Sequence, residues 1–207
     1  MTLIEATGLG KRFFRQWVFR GMDFEVQQGE RVLLTGDNGS GKSTLMRILA
    51  GQLAPTEGQL SLVVDGKKID PEFWYQYLSW SGPYMELYTD LSLAEAVHLH
   101  ASFRKLIVPE ADVLDLLQLQ DHRNKLLKHF SSGMMHRVKV GLSILSQSKI
   151  LLLDEATTNM DEANSKLVLD LMDHYIGDRL LIFASNRPEE FGRFARKIEM
   201  KNASVSR

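Results

Sequence analysis

The stretch Gly36 to Thr44 has the residue types and the spacing of a phosphate-binding loop. Its sequence, GDNGSGKST, fits the pattern G-x-x-x-x-G-K-[ST] and lies between an apolar strand, RVLLT, and a helical segment, STLMRILAG. In this pattern, backbone N–H groups surround a β-phosphate, the lysine reaches the β- and γ-phosphates, and the next hydroxyl ligates Mg²⁺. The alternative, a glycine-rich turn that only caps a helix, leaves the Lys-Ser pair unexplained. The predicted nucleotide-binding residues are Gly36, Asp37, Asn38, Gly39, Ser40, Gly41, Lys42, Ser43 and Thr44, with Ser43 also a metal ligand.

Two carboxylates at the end of another apolar segment could complete this site. Residues 150–155 read ILLLDE, a run typical of a central parallel strand. A phosphate-binding loop needs a carboxylate at the carboxyl end of a neighbouring strand to hold its magnesium. We therefore expect Asp154 to bind Mg²⁺ through water and Glu155 to act as general base on the attacking water. Taken alone, the hexapeptide would also suit a strand that ends in two solvated acids.

The elements that position these residues follow from the apolar pattern. Short strands around residues 3–6 and 22–26 predict an N-terminal β meander. Helices are predicted over 92–103, 110–127 and 133–146, forming a helical lobe at about residues 85–148, and another from about Asp161 to Tyr175. Strands that alternate with helices indicate a mainly parallel α/β sheet. No linker or repeat divides the chain, so we expect a single domain over residues 1–207.

Composition narrows the function classes. The chain has 207 residues, of which 44% are hydrophobic, and a formal net charge of −1. This gives no basic surplus of the kind that nucleic-acid binding requires, so no nucleic-acid partner is expected. The chain has no cysteine, which excludes disulfides and thiolate metal sites. No stretch approaches the roughly 18 apolar residues of a membrane helix, which predicts a soluble cytoplasmic chain.

The order of four motifs resembles the ATP-binding cassette (ABC) ATPases over essentially the whole chain. These motifs are GDNGSGKSTL, AGQLAPTEGQL, FSSGMMHRV and LLLDEATTNMD. The resemblance implies a P-loop NTPase (RecA-like) core with an antiparallel β lobe and a helical lobe. It also implies ATP and Mg²⁺ as ligands, and a second cassette whose signature loop closes over the γ-phosphate, most simply in a homodimer. Here FSSGM stands in the place of the usual LSGGQ, which implies that Ser131, Ser132 and Gly133 make this contact across the dimer.

Two further positions match the family. Phe13 lies 29 residues before Lys42, where the family stacks an aromatic ring on adenine, and Phe14 is the rival for this role. Asp161 matches an aspartate that the family has in the loop after the segment LLLDE. In the family, this aspartate touches the partner cassette. An aspartate at this position is also a good N-cap, and the two roles are compatible.

The chain also departs from the family pattern. Where the family has a glutamine that links the γ-phosphate to the membrane partner, residues 80–84 read WSGPY. Where it has a switch histidine, this chain has Asn186, which can donate a hydrogen bond but cannot carry charge or transfer a proton as imidazole does. Within the signature, Ser132 and Met134 replace glycine and glutamine. Binding therefore looks intact, whereas slow hydrolysis is expected.

Four functions compete on this basis. The leading one is the ATP-hydrolysing subunit of an ABC transporter, with Glu155, Lys42 and Asn186 catalytic and a separate transmembrane permease that holds it at the cytoplasmic face of the membrane. The second is a nucleotide-gated dimerising module with little hydrolysis. A soluble ABC protein of translation or DNA repair is disfavoured because 207 residues hold neither paired cassettes nor a long coiled coil. A small-molecule kinase would leave FSSGM and ATTNMD unexplained.

Overall fold

The computed structural model describes residues 1–187, 192–194 and 196–200. These residues divide into two compact units. The core unit contains Met1–Trp80, Ser148–Glu155 and the chain from Asp178 onward, and the helical unit contains Ser81–Gln147 and Ala156–Gly177. Among the described residues, no helix is both long enough and apolar enough to cross a membrane.

An antiparallel sheet forms the first part of the core unit. Its strands are β1 (Thr2–Phe13), β2 (Gln16–Gln27), β4 (Glu57–Val64) and β5 (Lys67–Ile69), in the order β2-β1-β4-β5. The predicted short strands near the N-terminus were wrong in length, since β1 and β2 have 12 residues each. The glycines in β1 do not end the strand, because they coincide with register shifts in its pairing with β2.

The second sheet of the core unit brings strand ends together. It has five strands in the order β6-β7-β8-β3-β9, where β3 is Arg31–Thr35, β6 is Leu78–Ser81, β7 is Ile150–Asp154, β8 is Leu180–Ala184 and β9 is Arg196–Glu199. Strands β7, β8, β3 and β9 pair in parallel, which confirms the predicted parallel sheet. Because parallel strands end at the same edge, the residues that follow β3, β7 and β8 are neighbours.

Helix α1 (Lys42–Leu49) starts at this edge and is fixed by apolar packing. Every third or fourth side chain of α1 faces the core, as its amphipathic pattern predicts. Fully burying one such side chain contributes about 1.5–3 kcal/mol. The cluster in which α1 meets both sheets includes Ile4, Leu9, Val26, Leu34, Leu45, Met46, Ile48, Leu49, Leu62, Leu152 and Ile182.

The helical unit contains α2 (Leu93–Phe103), α3 (Val113–Leu116), α4 (Ser132–Leu145) and α5 (Glu162–Tyr175). Helix α2 begins with a capping box, in which Ser92 accepts from the Glu95 N–H and the Glu95 carboxylate accepts from the Ser92 N–H. Helices α4 and α5 pack against each other. The helices predicted over 92–103, 133–146 and 161–175 are confirmed.

The continuous helix predicted over 110–127 is wrong. Only α3 is α-helical there, because Gln118 adopts a left-handed conformation (φ 52°) that ends it. The Leu119 N–H then bonds to the Leu114 carbonyl, as in a Schellman motif. Further on, Leu127 bonds through its N–H to the Leu91 carbonyl. Short 3₁₀ helices at Gln120–His122 and Leu127–His129, together with this long-range pairing, take the place of the hydrogen bonds of a continuing helix.

Candidate functional site

The loop Gly36–Gly41 forms a tight cradle between β3 and α1. Gly36 has a φ of 144°, and a Cβ there would come within 2.7 Å of the Met200 carbonyl oxygen. Gly41 has a φ of 100°, and its Cβ would come within 2.5 Å of the Val18 side chain. L side chains rarely adopt such backbone angles, so both positions require glycine. The cradle therefore depends on the two glycines that define the motif.

Lys42, the first residue of α1, folds its side chain back over the cradle. Its Nζ donates to the carbonyl oxygens of Gly36 at 2.8 Å and Asp37 at 3.0 Å. The residue is buried, and this burial lowers the pKa of Lys42, while the carboxylates of Glu155, Asp154 and Asp37 oppose that shift. The backbone oxygens hold the ammonium in a position from which it can also donate a hydrogen bond to a phosphate oxygen.

Asp154 ends β7 in a setting that suits a cation. It is 1% exposed, and within the described part of the chain neither carboxylate oxygen accepts a hydrogen bond of ordinary geometry. Burial raises the pKa of Asp154 to about 6, the neighbouring Ser43 hydroxyl acts in the opposite direction, and the Glu155 and Lys42 charges make smaller contributions. A buried carboxylate without donors is costly unless a cation compensates it. The Asp154 carboxylate and the Ser43 hydroxyl both offer oxygen atoms as metal ligands, and oxygen ligands are those that Mg²⁺ prefers.

Glu155 has a strained backbone. Its φ is 53°, which a residue with a Cβ rarely adopts, and its N–H donates to the Ala184 carbonyl of β8 at 2.9 Å. Such a conformation costs on the order of 1–3 kcal/mol and persists only where its surroundings enforce it. The β8 contact thus holds a half-buried carboxylate at the mouth of the cradle, and Glu155 lines the same cavity of about 280 Å³ as Lys42, Ser43 and Thr44.

Asn186 also reaches the phosphate-binding loop. Its Nδ2 donates to the Asn38 Oδ1 at 2.6 Å, although the two residues are 148 positions apart. Asn186 lies two residues beyond the end of β8, and the Ser185 N–H donates to the Leu34 carbonyl of β3. The core unit thus brings together Gly36 to Thr44, Asp154, Glu155 and Asn186, as the sequence predicted for one site.

The hairpin between β1 and β2 carries the aromatic candidates. Phe13 is the last residue of β1 and is 43% exposed, whereas Phe14 is fully exposed with a φ of 52°. Sequence reasoning missed Val18 of β2, which lines the cavity and packs against the Gly41 position. No motif in the sequence marks Val18 as a residue of this cavity.

The predicted signature segment and Asp161 lie at two helix starts of the helical unit. Ser131 is the N-cap of α4, with its hydroxyl accepting from the Met134 N–H at 3.2 Å. Asp161 is the N-cap of α5 and accepts from the Asn164 N–H at 2.8 Å. Ser132 and Gly133 form the first turn of α4. The capping roles are thus present, and the dimer contacts remain a prediction.

These features define a P-loop nucleotide-binding protein, with the fold class that the sequence predicted. The sequence model of the ABC transporter family matches residues 19–158. This chain belongs to the ABC family and is an ATP-binding domain of the transporter type. Its family generally consists of ATPases that bind ATP, usually with Mg²⁺, and that dimerise and couple to transmembrane domains.

A curated relative agrees with this family assignment, and two solved structures agree with the fold. The human "Cholesterol transporter ABCA5" is 30% identical over 178 residues, which cover 83% of this chain and 11% of that protein. The chain thus spans about a tenth of the length of the curated relatives that it matches. A solved structure titled "Structure of ATP binding subunit of ABC transporter" matches with a TM-score of 0.82 at 23% identity, over 97% of this chain and 86% of that one. A bacterial Atm1-family ABC exporter with ATP bound matches with a TM-score of 0.80 at 20% identity, over 96% of this chain and 37% of that one.

Proposed function

We propose that this chain binds ATP-Mg on residues 36–44 and hydrolyses it to power an ABC transporter whose membrane-spanning part is a separate permease. The observation that carries this proposal is the buried carboxylate of Asp154, which lies beside Lys42 and Ser43. A bound Mg²⁺ would neutralise the charge that builds up on the phosphates during transfer. The chain would then work peripherally at the cytoplasmic face of the membrane.

The chain's own groups divide the chemistry between them. Lys42 and the loop N–H groups bind and orient the β- and γ-phosphates, and Ser43 and Asp154 would hold the metal. Glu155 accepts a proton from the attacking water, since it lines the cavity beside Lys42 and Ser43 and its strained backbone fixes its position. In the family arrangement, Ser131 to Gly133 and Asp161 of a second copy close over the γ-phosphate.

An exposed surface of the helical unit suits the permease. Tyr84 is 69% exposed, Met85 38% and Tyr88 75%, with Leu87 half-buried among them. The Lys139 Nζ of α4 donates to the Met85 carbonyl at 3.0 Å and so fixes this segment to the helix that begins with the signature residues. We propose that the permease docks on this surface, with WSGPY in place of the usual glutamine segment.

A second candidate function is a nucleotide-gated dimer with little hydrolysis. The observation that favours it is the Asn186 contact with Asn38, because an amide at the switch position donates a hydrogen bond but can neither become positively charged nor transfer a proton. Phosphate release by the purified chain with ATP-Mg separates the two functions. Turnover above that of the Glu155→Gln variant supports the ATPase, and turnover equal to it supports the gated dimer.

The Asn186→His variant tests the switch position. We expect it to raise kcat by about tenfold or more, because an imidazole can act on the γ-phosphate in the transition state alone, and to change the ATP Kd by less than about twofold. The measurements are steady-state phosphate release and equilibrium ATP binding, with Asn124→His on the exposed surface as the matched control. Equal changes in both parameters, or none in either, would remove Asn186 from the switch position.

The Phe13→Ala variant tests the base contact. Loss of a stacking ring should weaken ATP binding by about 1–3 kcal/mol, if adenine stacks here as bases do on aromatic side chains in nucleic-acid complexes. Titration with ATP measures this effect, and Phe103→Ala, which truncates an 80% exposed ring of the helical unit, is the control. If only Phe14→Ala weakens binding, the base stacks on Phe14 instead.

A further inference from the structure

Two side chains of α4 hold the loop that connects β7 to α5. The loop, residues 156–161, ends at the α5 cap Asp161. His136 Nε2 lies 3.1 Å from the Ala156 carbonyl oxygen, and since a carbonyl only accepts, Nε2 carries the proton in this contact. His136, one turn into α4 from the signature residues, thus contacts the first residue of the loop.

Asn164 holds the other end of the loop. Its Oδ1 accepts from Arg137 Nη1 of α4 at 2.5 Å, while its Nδ2 donates to Asp161 Oδ2 at 2.9 Å. Its backbone N–H donates to Asp161 Oδ1 at 2.8 Å. The Asn164 amide therefore bridges α4 and Asp161, with its acceptor and one donor both in use.

The middle of the loop packs directly on the signature segment. A Cβ at Gly133 would lie 3.2 Å from the Asn159 carbonyl oxygen, closer than most Cβ contacts. Asn159 itself has a φ of 60°, and the Met160 N–H bonds to the Thr157 carbonyl. The start, the middle and the end of the loop are therefore all held against α4, and all of the residues involved belong to the helical unit.

From these contacts we infer that His136 and Asn164 are positioning residues. They hold Ser131 to Gly133 and Asp161 as one rigid surface, and this surface sets how readily two copies pair around ATP. The inference rests on the ATP-dependent pairing in the proposed function. A surface already in its bound geometry loses less conformational freedom on pairing, so removal of either contact should weaken pairing without touching the nucleotide cradle.

Hydrogen exchange in the nucleotide-free chain tests the rigid surface by itself. His136→Ala should speed amide exchange several-fold in residues 157–164, across the loop from the substitution, and leave α1 unchanged. His136→Gln, whose side-chain amide can still donate to Ala156, should restore the slow exchange. If exchange changes only within α4, or if Gln behaves as Ala does, the loop is not held by His136 and the inference is wrong.

ATP-dependent pairing tests the consequence. In a Glu155→Gln background, His136→Ala and Asn164→Asp should each raise the ATP concentration for half-maximal pairing by about tenfold. Asn164→Asp keeps an acceptor for Arg137 but loses the donor to Asp161. ATP affinity of the dilute monomer should stay within about twofold, an outcome that a general loss of folding would not give.

The two failures can be told apart. If the Glu155→Gln parent pairs with ATP but the variants pair at the same ATP concentration, the positioning role is wrong and the proposed function stands. If the parent stays monomeric with ATP, the pairing in the proposed function is wrong. Exchange in residues 157–164 then decides whether His136 holds the loop, since that measurement needs no dimer.

Discussion

Lys42→Ala is expected to abolish ATP turnover and to weaken ATP binding by about 10- to 150-fold. The loss of affinity follows from removing charge-assisted hydrogen bonds, each of which contributes about 1.5–3 kcal/mol. Turnover should fall further, by about a hundredfold or more, because negative charge builds up on the phosphates in the transition state. Equilibrium titration with ATP and steady-state phosphate release measure the two effects.

The control for this variant must separate lost charge from a damaged loop. Lys42 also donates to the Gly36 and Asp37 carbonyls, so its removal could loosen the cradle itself. Thermal unfolding of Lys42→Ala should remain close to that of the parent, and Lys166→Ala on an exposed position of α5 should change neither binding nor turnover. Unchanged affinity and turnover in Lys42→Ala would overturn the phosphate-site assignment.

Local patterns were enough to predict the nucleotide cradle. Strand β3, the glycine loop and α1 are consecutive in the chain, and β7 and β8 are short apolar runs of the kind that buried parallel strands require. The caps Ser131 and Asp161 were also recognisable, because a cap acts on backbone within three residues. Each of these features depends on neighbours in sequence.

The features that the sequence did not reveal depend on distant partners. Gln118 ends α3 in a left-handed conformation, and the chain after it makes short 3₁₀ turns and then pairs with residues near Leu91, which no local pattern encodes. The His136 contact with Ala156 spans 20 positions, and the Asn186 contact with Asn38 spans 148. Tertiary contacts of this kind override local propensity, so only the structure could show which polar side chains meet.

Glu155→Gln is expected to lower ATP turnover by about 10²- to 10⁴-fold while ATP-Mg still binds. The amide cannot accept a proton from the attacking water, yet it has nearly the same shape as the carboxylate. It should also keep the strained backbone, because the bond from its N–H to the Ala184 carbonyl does not involve the side chain. Glu162→Gln, the same change at an exposed position of α5, is the matched control and should leave turnover unchanged.

Glu155→Gln should also trap the ATP-bound dimer, since ATP that bridges two copies stabilises their pairing by linkage and its hydrolysis would release them. The head-to-tail arrangement places two ATP molecules at a two-fold interface, so pairing should appear with ATP-Mg and disappear with ADP. Molecular mass in solution, measured with ATP-Mg, with ADP and without nucleotide, tests this directly. A monomer under all three conditions would contradict the homodimer, and the chain would then pair only with a different cassette or on its membrane partner.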